Sequence, residues 1–330
     1  IYQAKETSSC LVELDESPPY PINQDALKVA LQISKLVNAE IIPVVQVMRK
    51  LVIDGSNVSG FQRTALVARN GYIITSKGKI TIPAIYLEEE AAKKISETNE
   101  TVTYSLDRLG VPLIEISTGP ELQDPAQVQE AASIIGMIFR STEKVKRGIG
   151  SIRQDVNLSI KDNPRIELKG FQDLRSIPKV IDNEIERMQK EKDKLPHVRK
   201  VEPNLTSSFL RPMPGSSRLY PETDIPSIEI TKKFLDSIEI PELISERSIN
   251  FEKKYSLSPQ YAIEITKQNL PFDYYAEKYE IEPKIIAHAL IELPKELKSR
   301  FNIKDNPKKE HFEFVFSNLE KKNIKKEAVL

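Results

Sequence analysis

The spacing of apolar and polar positions divides the chain into a strand-rich first part and a helical second part. In NQDALKVALQISKLVN (23–38), Ala26, Leu27, Ala30, Leu31 and Ile33 recur on one helical face, and Asn23 stands where a helix cap belongs. The runs 41–53, 61–68, 72–75 and 80–88 are rich in β-branched residues. They are separated by Asp54-Gly55, Asn70-Gly71 and Lys77-Gly78, which predicts short turns and antiparallel pairing. A further strand is predicted at 111–117. A helix follows from Asp124-Pro125 to Arg140, with Pro125 suited to its first position. Strands at 152–160 and 165–170 and a helix over 173–193 complete this part.

Residues 194–230 hold Pro196, Pro203, Pro212, Pro214, Pro221 and Pro226, which predicts an extended connection and a boundary region. From 241 onward the pattern is helical. KYSLSPQYAI (254–263) and KYEIEPKIIA (278–287) share K-Y-x-(L/I)-x-P, two similar turns leading into helices, the first capped by Ser258. The expected fold class is α+β: an antiparallel-sheet-rich domain with flanking helices over 1–235, then a small all-helical domain over 236–330.

Composition narrows the function. The length of 330 residues suits about two domains. Lys plus Arg total 48 and Asp plus Glu total 48, so the net charge is zero. That excludes a globally basic nucleic-acid coat and leaves room for a local basic patch. With one cysteine, Cys10, there is no intrachain disulfide and no cysteine zinc site; His197, His288 and His311 lack metal-ligand spacing. No apolar run approaches the roughly 20 residues that span a bilayer, and no signal peptide is visible, so a reducing, cytoplasmic setting without a membrane is expected. The chain opens on Ile1 and closes on Ala328-Val329-Leu330 without a turn signal, the pattern expected of a fragment. The glycine-rich phosphate loops of the common nucleotide-binding folds are absent.

Carboxylates in strand patterns carry the candidate chemistry. Alternation places Ser151, Arg153, Asp155, Asn157 and Ser159 on one side, and Arg165, Glu167 and Lys169 on one side of the next strand. If odd positions pair with odd, Asp155 and Glu167 share a surface with Arg153 and Lys169. Acids among cations suit a hard cation bridging phosphates; cross-strand ion pairs on a solvated sheet face are the plain alternative. Glu115 interrupts an apolar strand beside Val111 and Leu113, where a carboxylate needs a partner. Glu88-Glu89-Glu90 ends another apolar strand; the alternatives are a metal role and the acidic first turn of a helix over the following AAKKI. RSTEKVKRGIGSIR (140–153) has five Lys/Arg against one Glu, and Gly148 and Gly150 permit close backbone approach to a phosphate. A solvated charged loop is the plain reading of that run. Residues 295–330 hold ten Lys/Arg against six Asp/Glu, more often a solubility feature than an RNA-binding one.

Several long motifs, in order, resemble one family. They are MRKLVIDGSNVSGFQRTALVA (48–68), YLEEEAAK (86–93), YSLDRLGVPLIEIST (104–118), KVKRGIGSIRQDVNLSI (144–160), RIELKGFQDLRSIPK (165–179) and RPMPGSSRLYPETDIP (211–226). Together they resemble the archaeal branch of the GatB/GatE family of tRNA-dependent amidotransferases, over about residues 10–226. The resemblance implies a cradle-shaped catalytic domain that uses ATP and Mg²⁺ to phosphorylate the glutamyl γ-carboxylate of Glu-tRNA(Gln). Ammonia from an asparaginase-like partner, the D subunit of the amidotransferase, then gives the amide, so a hetero-oligomer is implied. By motif position, Glu115, Asp155 and Glu167 are implied as catalytic, and Glu88, Glu89, Glu115, Asp155 and Glu167 as metal-binding. Arg153, Lys169, Asp54, Ser56, Gln62 and Arg63 are implied near ATP phosphates, with Ser59 beside them. Lys144, Lys146, Arg147, Arg211 and Arg218 are implied at the tRNA, and Glu222 and Asp224 are weaker candidates.

The chain also departs from the family pattern. The opening G-L-E-I-H-type strand, the inserted domain expected near 196–209 and the tail domain have no counterpart, and Gly119 stands where the family tends to have an acid. Weakened metal binding is the expected consequence. Three readings therefore stand side by side: a ligase-type enzyme subunit, a non-catalytic tRNA-binding module, and an assembly scaffold.

Overall fold

The structure is a computed structural model that describes residues 1–325 apart from 6, 8, 149, 192, 214, 216–218 and 304. The chain divides into two compact units, Ile1–Ile240 and Pro241–Leu330.

The first unit begins with β1 (Tyr2–Gln3) and α1 (Gln24–Leu36). Asn23 caps α1 as the pattern predicts, accepting from the Ala26 N–H at 2.9 Å, and Leu27, Ala30, Leu31 and Ile33 are fully buried. The apolar run 41–53 is not one strand. It breaks into β2 (Glu40–Ile41), β3 (Val44–Val45) and β4 (Val47–Leu51). Pro43 lacks the N–H that a continuous ladder needs, and its carbonyl instead accepts from Ile230.

The predicted turn at Asn70-Gly71 is corrected. Residues Phe61–Thr75 form one long strand, β5, which pairs antiparallel with β6 (Gly78–Glu89). Asn70 sits in the left-handed region within that strand, at φ 56°. Gly71 is required for space, not for a turn: a Cβ there would lie 3.0 Å from the Val37 carbonyl oxygen and 3.0 Å from the Ala39 Cβ. The hairpin turn falls at Ser76-Lys77, before Gly78 at φ 124°.

After Glu88-Glu89-Glu90 the chain enters β7 (Lys93–Glu97), so the helix considered there does not form. β7 pairs with β8 (Val102–Ser105), and β8 also pairs with β1, giving the order β1-β8-β7. Next come β9 (Pro112–Ser117) and α2 (Pro125–Ser141), whose cap Asp124 accepts from the Gln127 N–H at 3.0 Å. The strand predicted at 152–160 shrinks to β10 (Val156–Leu158), although its alternation persists on both sides of the ladder: Arg153, Asp155, Asn157 and Ser159 are exposed and Val156 is buried. β11 (Ile166–Lys169) and α3 (Ile177–Glu191) follow.

The proline-rich stretch is woven into the sheets rather than connecting domains. It supplies β12 (His197–Val201), β13 (Ser207–Pro212), β14 (Leu219–Pro221) and β15 (Ile228–Glu229), before α4 (Lys232–Asp236). β12 is an interior strand, with His197, Val198 and Arg199 buried. Pro212 and Pro221 end strands, where a missing N–H is harmless.

Three sheets carry most of this unit's remaining strands. The largest has the order β14-β4-β5-β6-β9, with β2 alongside β5; another runs β10-β11-β12-β13; the last pairs β15 with β3. One core lies between α1 and the largest sheet (Leu27, Leu31, Val47, Ala65, Val67, Leu87). Another lies between α3 and the four-stranded sheet (Ile166, Leu168, Ile177, Val180, Met188).

The second unit is helical: α5 (Ile244–Tyr255), α6 (Pro259–Gln268), α7 (Phe272–Lys278), α8 (Pro283–Arg300) and α9 (Lys309–Glu320). Ser258 caps α6, and Pro259 and Pro283 open the two helices of the quasi-repeat. Phe251, Phe272, Tyr275, Ile286, Leu290 and Phe316 form its core. Among the described residues, no helix is long and apolar enough to cross a membrane.

Candidate active site

Strand alternation and register build two different polar surfaces on the largest sheet. Cross-strand partners Lys50 and Gln62, Thr64 and Glu88, and Tyr86 and Glu115 share one face. Glu88 is buried there. Its Oε1 accepts from Lys50 Nζ at 2.6 Å and from Thr64 Oγ1 at 2.7 Å, and its Oε2 from Gln62 Nε2 at 3.3 Å. Three donors satisfy this buried carboxylate.

Glu115 differs from the expectation of a buried acid with a partner. It keeps solvent exposure and makes no ion pair or hydrogen bond with any described residue. Partial desolvation and the charges of Glu88 and Asp155 raise its pKa, against the opposing pull of Lys50 and Lys169. The same surroundings act on Tyr86: desolvation, Glu115 and Glu88 raise its pKa, so its hydroxyl keeps its proton.

The four-stranded sheet supplies the other acids. Asn157 pairs with Glu167 in an odd-to-odd register, as a shared polar face requires. Lys169 Nζ donates to the Asp155 carboxylate and lies 3.1 Å from Glu167 Oε1. Burial alone would lower the Lys169 pKa; Asp155 and Glu167 more than offset this and raise it. Because the charges of Asp155 and Lys169 act on Glu115, the structure brings Glu88, Glu115, Asp155 and Glu167 into one electrostatic neighbourhood with Lys50 and Lys169. Among the described residues, no three His, Cys, Asp or Glu side chains close on a common metal position.

Glu89, Arg63 and Glu222 lie on the opposite face. Arg63 is the direct cross-strand partner of Arg49, a like-charge pair that is unfavourable by itself. The buried Glu222 resolves it by accepting from Arg49 Nη2 and from Arg63 Nε at 2.8 Å, and from the Thr223 and Asp224 N–H groups at 2.8 and 3.0 Å. Burial would raise the Glu222 pKa, but these donors hold it down to about 2. Both guanidiniums stack on Phe61, at 4.5 and 5.1 Å. Glu89 lies 3.5 Å from Arg63 Nη1, and desolvation dominates to raise its pKa.

The remaining sequence-predicted residues are dispersed. Arg153, exposed like Asp155, pairs with Glu90. Asp54 Oδ1 accepts from both the Ser56 N–H and its hydroxyl, a local turn held from outside by Tyr104 and Tyr2 hydroxyls donating to the Asp54 and Gly55 carbonyls. Ser59 donates to the Phe61 carbonyl at 3.0 Å. Lys144, Lys146 and Arg147 are exposed on the loop after α2, and Arg211 is exposed on β13. Arg218 lies outside the described residues.

Sequence reasoning missed Lys50, Thr64, Tyr86 and Arg49. Alternation within 48–51 and 61–66 would have placed Lys50 with Gln62 and Thr64, but only a known register tells which strand they meet. It also missed a buried ion network in which Glu184 accepts from Arg187 Nε at 2.7 Å and lies 3.3 Å from Arg199 Nε, while Arg187 also grips Asp193. That network borders a recess of about 280 Å³, and a larger one of about 510 Å³ lies in the helical unit beside Arg247 and Phe251. Neither recess is lined by the acids gathered around Glu115.

Comparison with known proteins agrees on one family. A model described as the GatB/GatE catalytic domain matches residues 3–236. The chain is 32% identical to the E subunit of a glutamyl-tRNA(Gln) amidotransferase from Methanocaldococcus jannaschii, over all of this chain and 75% of that protein. The same-named protein of Methanosarcina acetivorans is 31% identical over all of this chain and 74% of its own length, and that of Archaeoglobus fulgidus 30% over 99% and 74%. The first alignment runs over 479 positions, against 330 residues here, so that relative carries internal residues with no counterpart in this chain.

Proposed function

Because the chain belongs to the GatB/GatE catalytic domain family, we propose that it activates the glutamyl γ-carboxylate of Glu-tRNA(Gln) with ATP and amidates it with ammonia, yielding Gln-tRNA(Gln). The ammonia would come from the asparaginase-like partner, which makes the working unit a hetero-oligomer. The observation that carries this reading is the meeting of Glu88, Glu115, Asp155 and Lys169, from three distant stretches of chain, around one electrostatic neighbourhood.

The residues fit a magnesium ion in one respect that can be judged directly. Glu115 is a carboxylate with no cation of its own, pushed toward protonation by the negative charge of Glu88 and Asp155. Mg²⁺ is held by one or two carboxylates, with water and substrate phosphate completing its shell, so three converging protein ligands are not needed. Glu115 with Asp155 or Glu88 would hold it, and it would neutralise phosphate charge during transfer.

The chain's own residues supply the rest. A γ-carboxylate oxygen attacks the γ-phosphorus of ATP, and the bond to the β-bridging oxygen breaks to release ADP. Lys50 and Lys169, already among acids, can swing onto phosphate oxygens when substrate arrives. Ammonia then attacks the acyl carbon, and the carbon–oxygen bond to phosphate breaks. The departing phosphate takes up the proton released from nitrogen.

One observation favours a second reading, tRNA binding or assembly without catalysis: Lys144 and Lys146 stand exposed together on the loop after α2. ATP-dependent phosphate release in the presence of Glu-tRNA(Gln) and the asparaginase-like partner separates the two. The catalytic reading expects release by the unmodified chain, its loss in Glu115→Gln and retained tRNA binding. Equal turnover in that variant would remove Glu115 from the site.

A further inference from the structure

Helix α2 carries Gly136 in its interior, where glycine is about 0.5–1 kcal/mol less favourable than alanine. Its φ is an ordinary negative one, so no turn explains it. Arg140 does. A Cβ added at Gly136 would meet Arg140 first, at 3.3 Å from Nη1, 3.5 Å from Nη2 and 3.7 Å from Cζ. The guanidinium therefore lies against bare backbone one turn back, the direction in which a helical side chain leans.

Arg140 is half-buried in this seat, and its guanidinium forms no hydrogen bond or ion pair with any described residue. The charge acting on it is another cation, Arg147, and burial with that neighbour lowers its pKa. The negative end of the α2 dipole offsets part of the repulsion, but it would do so equally for an arginine extended into water. It does not account for a seat. Lys144 and Lys146 continue along the same loop, exposed and likewise without an ion pair to a described residue.

We propose that Arg140, seated on Gly136, is a fixed receptor for a phosphate oxygen of an RNA backbone, with Lys144, Lys146 and Arg147 extending the contact along the strand. The proposal rests on the reading of this chain as a tRNA-handling protein. A nucleotide triphosphate would need a concave cradle. These cations are instead strung along an exposed loop, the arrangement that tracks a polyanion.

The test is binding of labelled unfractionated tRNA to the full chain across a salt series, for the unmodified protein, Arg140→Gln and Gly136→Ala. Arg140→Gln should weaken binding about tenfold at low salt and reduce the salt slope by about 1. Gly136→Ala keeps every charge and favours the helix, but its Cβ, 3.3 Å from Nη1, displaces the guanidinium by a few tenths of an ångström; it should weaken binding measurably and by less than Arg140→Gln, with thermal unfolding confirming an intact fold. Gly136→Ala binding like the unmodified protein would overturn the seat. Weaker ATP binding by Arg140→Gln with unchanged tRNA binding would overturn the RNA assignment. No tRNA binding by the unmodified chain would overturn the functional reading and this proposal with it.

Discussion

Glu88 and Glu89 are adjacent in sequence and serve opposite faces of the largest sheet: Glu88 accepts from Lys50, Thr64 and Gln62, whereas Glu89 meets Arg63. Glu90, third in the row, turns to Arg153. Three consecutive acids are tolerated because each has its own cation in a different direction. The consequence for chemistry is that Glu88, not Glu89, stands with Glu115. The pair Gln62 and Arg63 divides in the same way.

Glu222 should be a large single contributor to stability. Its carboxyl has an ordinary value of 4.5 and is held to about 2 in the folded chain, which corresponds to roughly 3 kcal/mol. A depressed carboxylate stabilises above its unfolded pKa, so this contribution is complete above about pH 4.5 and is lost as pH falls toward 2. Glu222→Gln leaves Arg49 with the exposed Asp224 and Arg63 with Glu89 as their remaining acids and should lower stability at neutral pH by about 2–3 kcal/mol. Urea unfolding at neutral and acidic pH checks both. A variant as stable as the parent at neutral pH would show that the arginines find other partners.

Glu115→Gln should act in the other direction. A carboxyl with a raised folded pKa weakens the fold once pH rises through that pKa, because the folded state resists its charge. The variant should therefore unfold at a slightly higher temperature than the parent at neutral pH, with the difference vanishing in acid. Added Mg²⁺ should raise the melting temperature of the parent and not of the variant. A destabilised variant would mean that Glu115 has a stabilising partner in solution.

Lys169 bridges Asp155 and Glu167 with side chains 30%, 41% and 21% exposed. At that exposure an ion pair contributes little, so a double-mutant cycle of Lys169→Met with Asp155→Asn should give a coupling of about 0.5–1 kcal/mol. A coupling above about 3 kcal/mol would mark the group as structural rather than available to a substrate.

Gly71→Ala should destabilise by about 1–3 kcal/mol, since its Cβ would press on Val37 and Ala39 where α1 turns into β2. Asn70→Gly should be tolerated, because the neighbouring position needs a left-handed backbone and no side chain in particular. Thermal unfolding of both variants distinguishes a packing role from the turn that Asn70-Gly71 suggests in sequence.

Local physics was legible in the chain by itself. The caps Asn23 and Ser258, the proline-opened helices, the helical second unit and the alternation of polar positions along 153–159 follow from side-chain chemistry within a few residues or from strand geometry. Long-range partnership did not. Glu222 reads as a weak candidate in a proline-rich stretch until β14 places it between Arg49 and Arg63, which precede it by 173 and 159 residues. Pairing at such separations depends on which strands become neighbours and in which register. The same cause hid Lys50 beside Glu88, and over Gly136 it hid Arg140, whose guanidinium meets no acid among the described residues. Alternation assigns each side chain a face; only tertiary packing decides what that face meets.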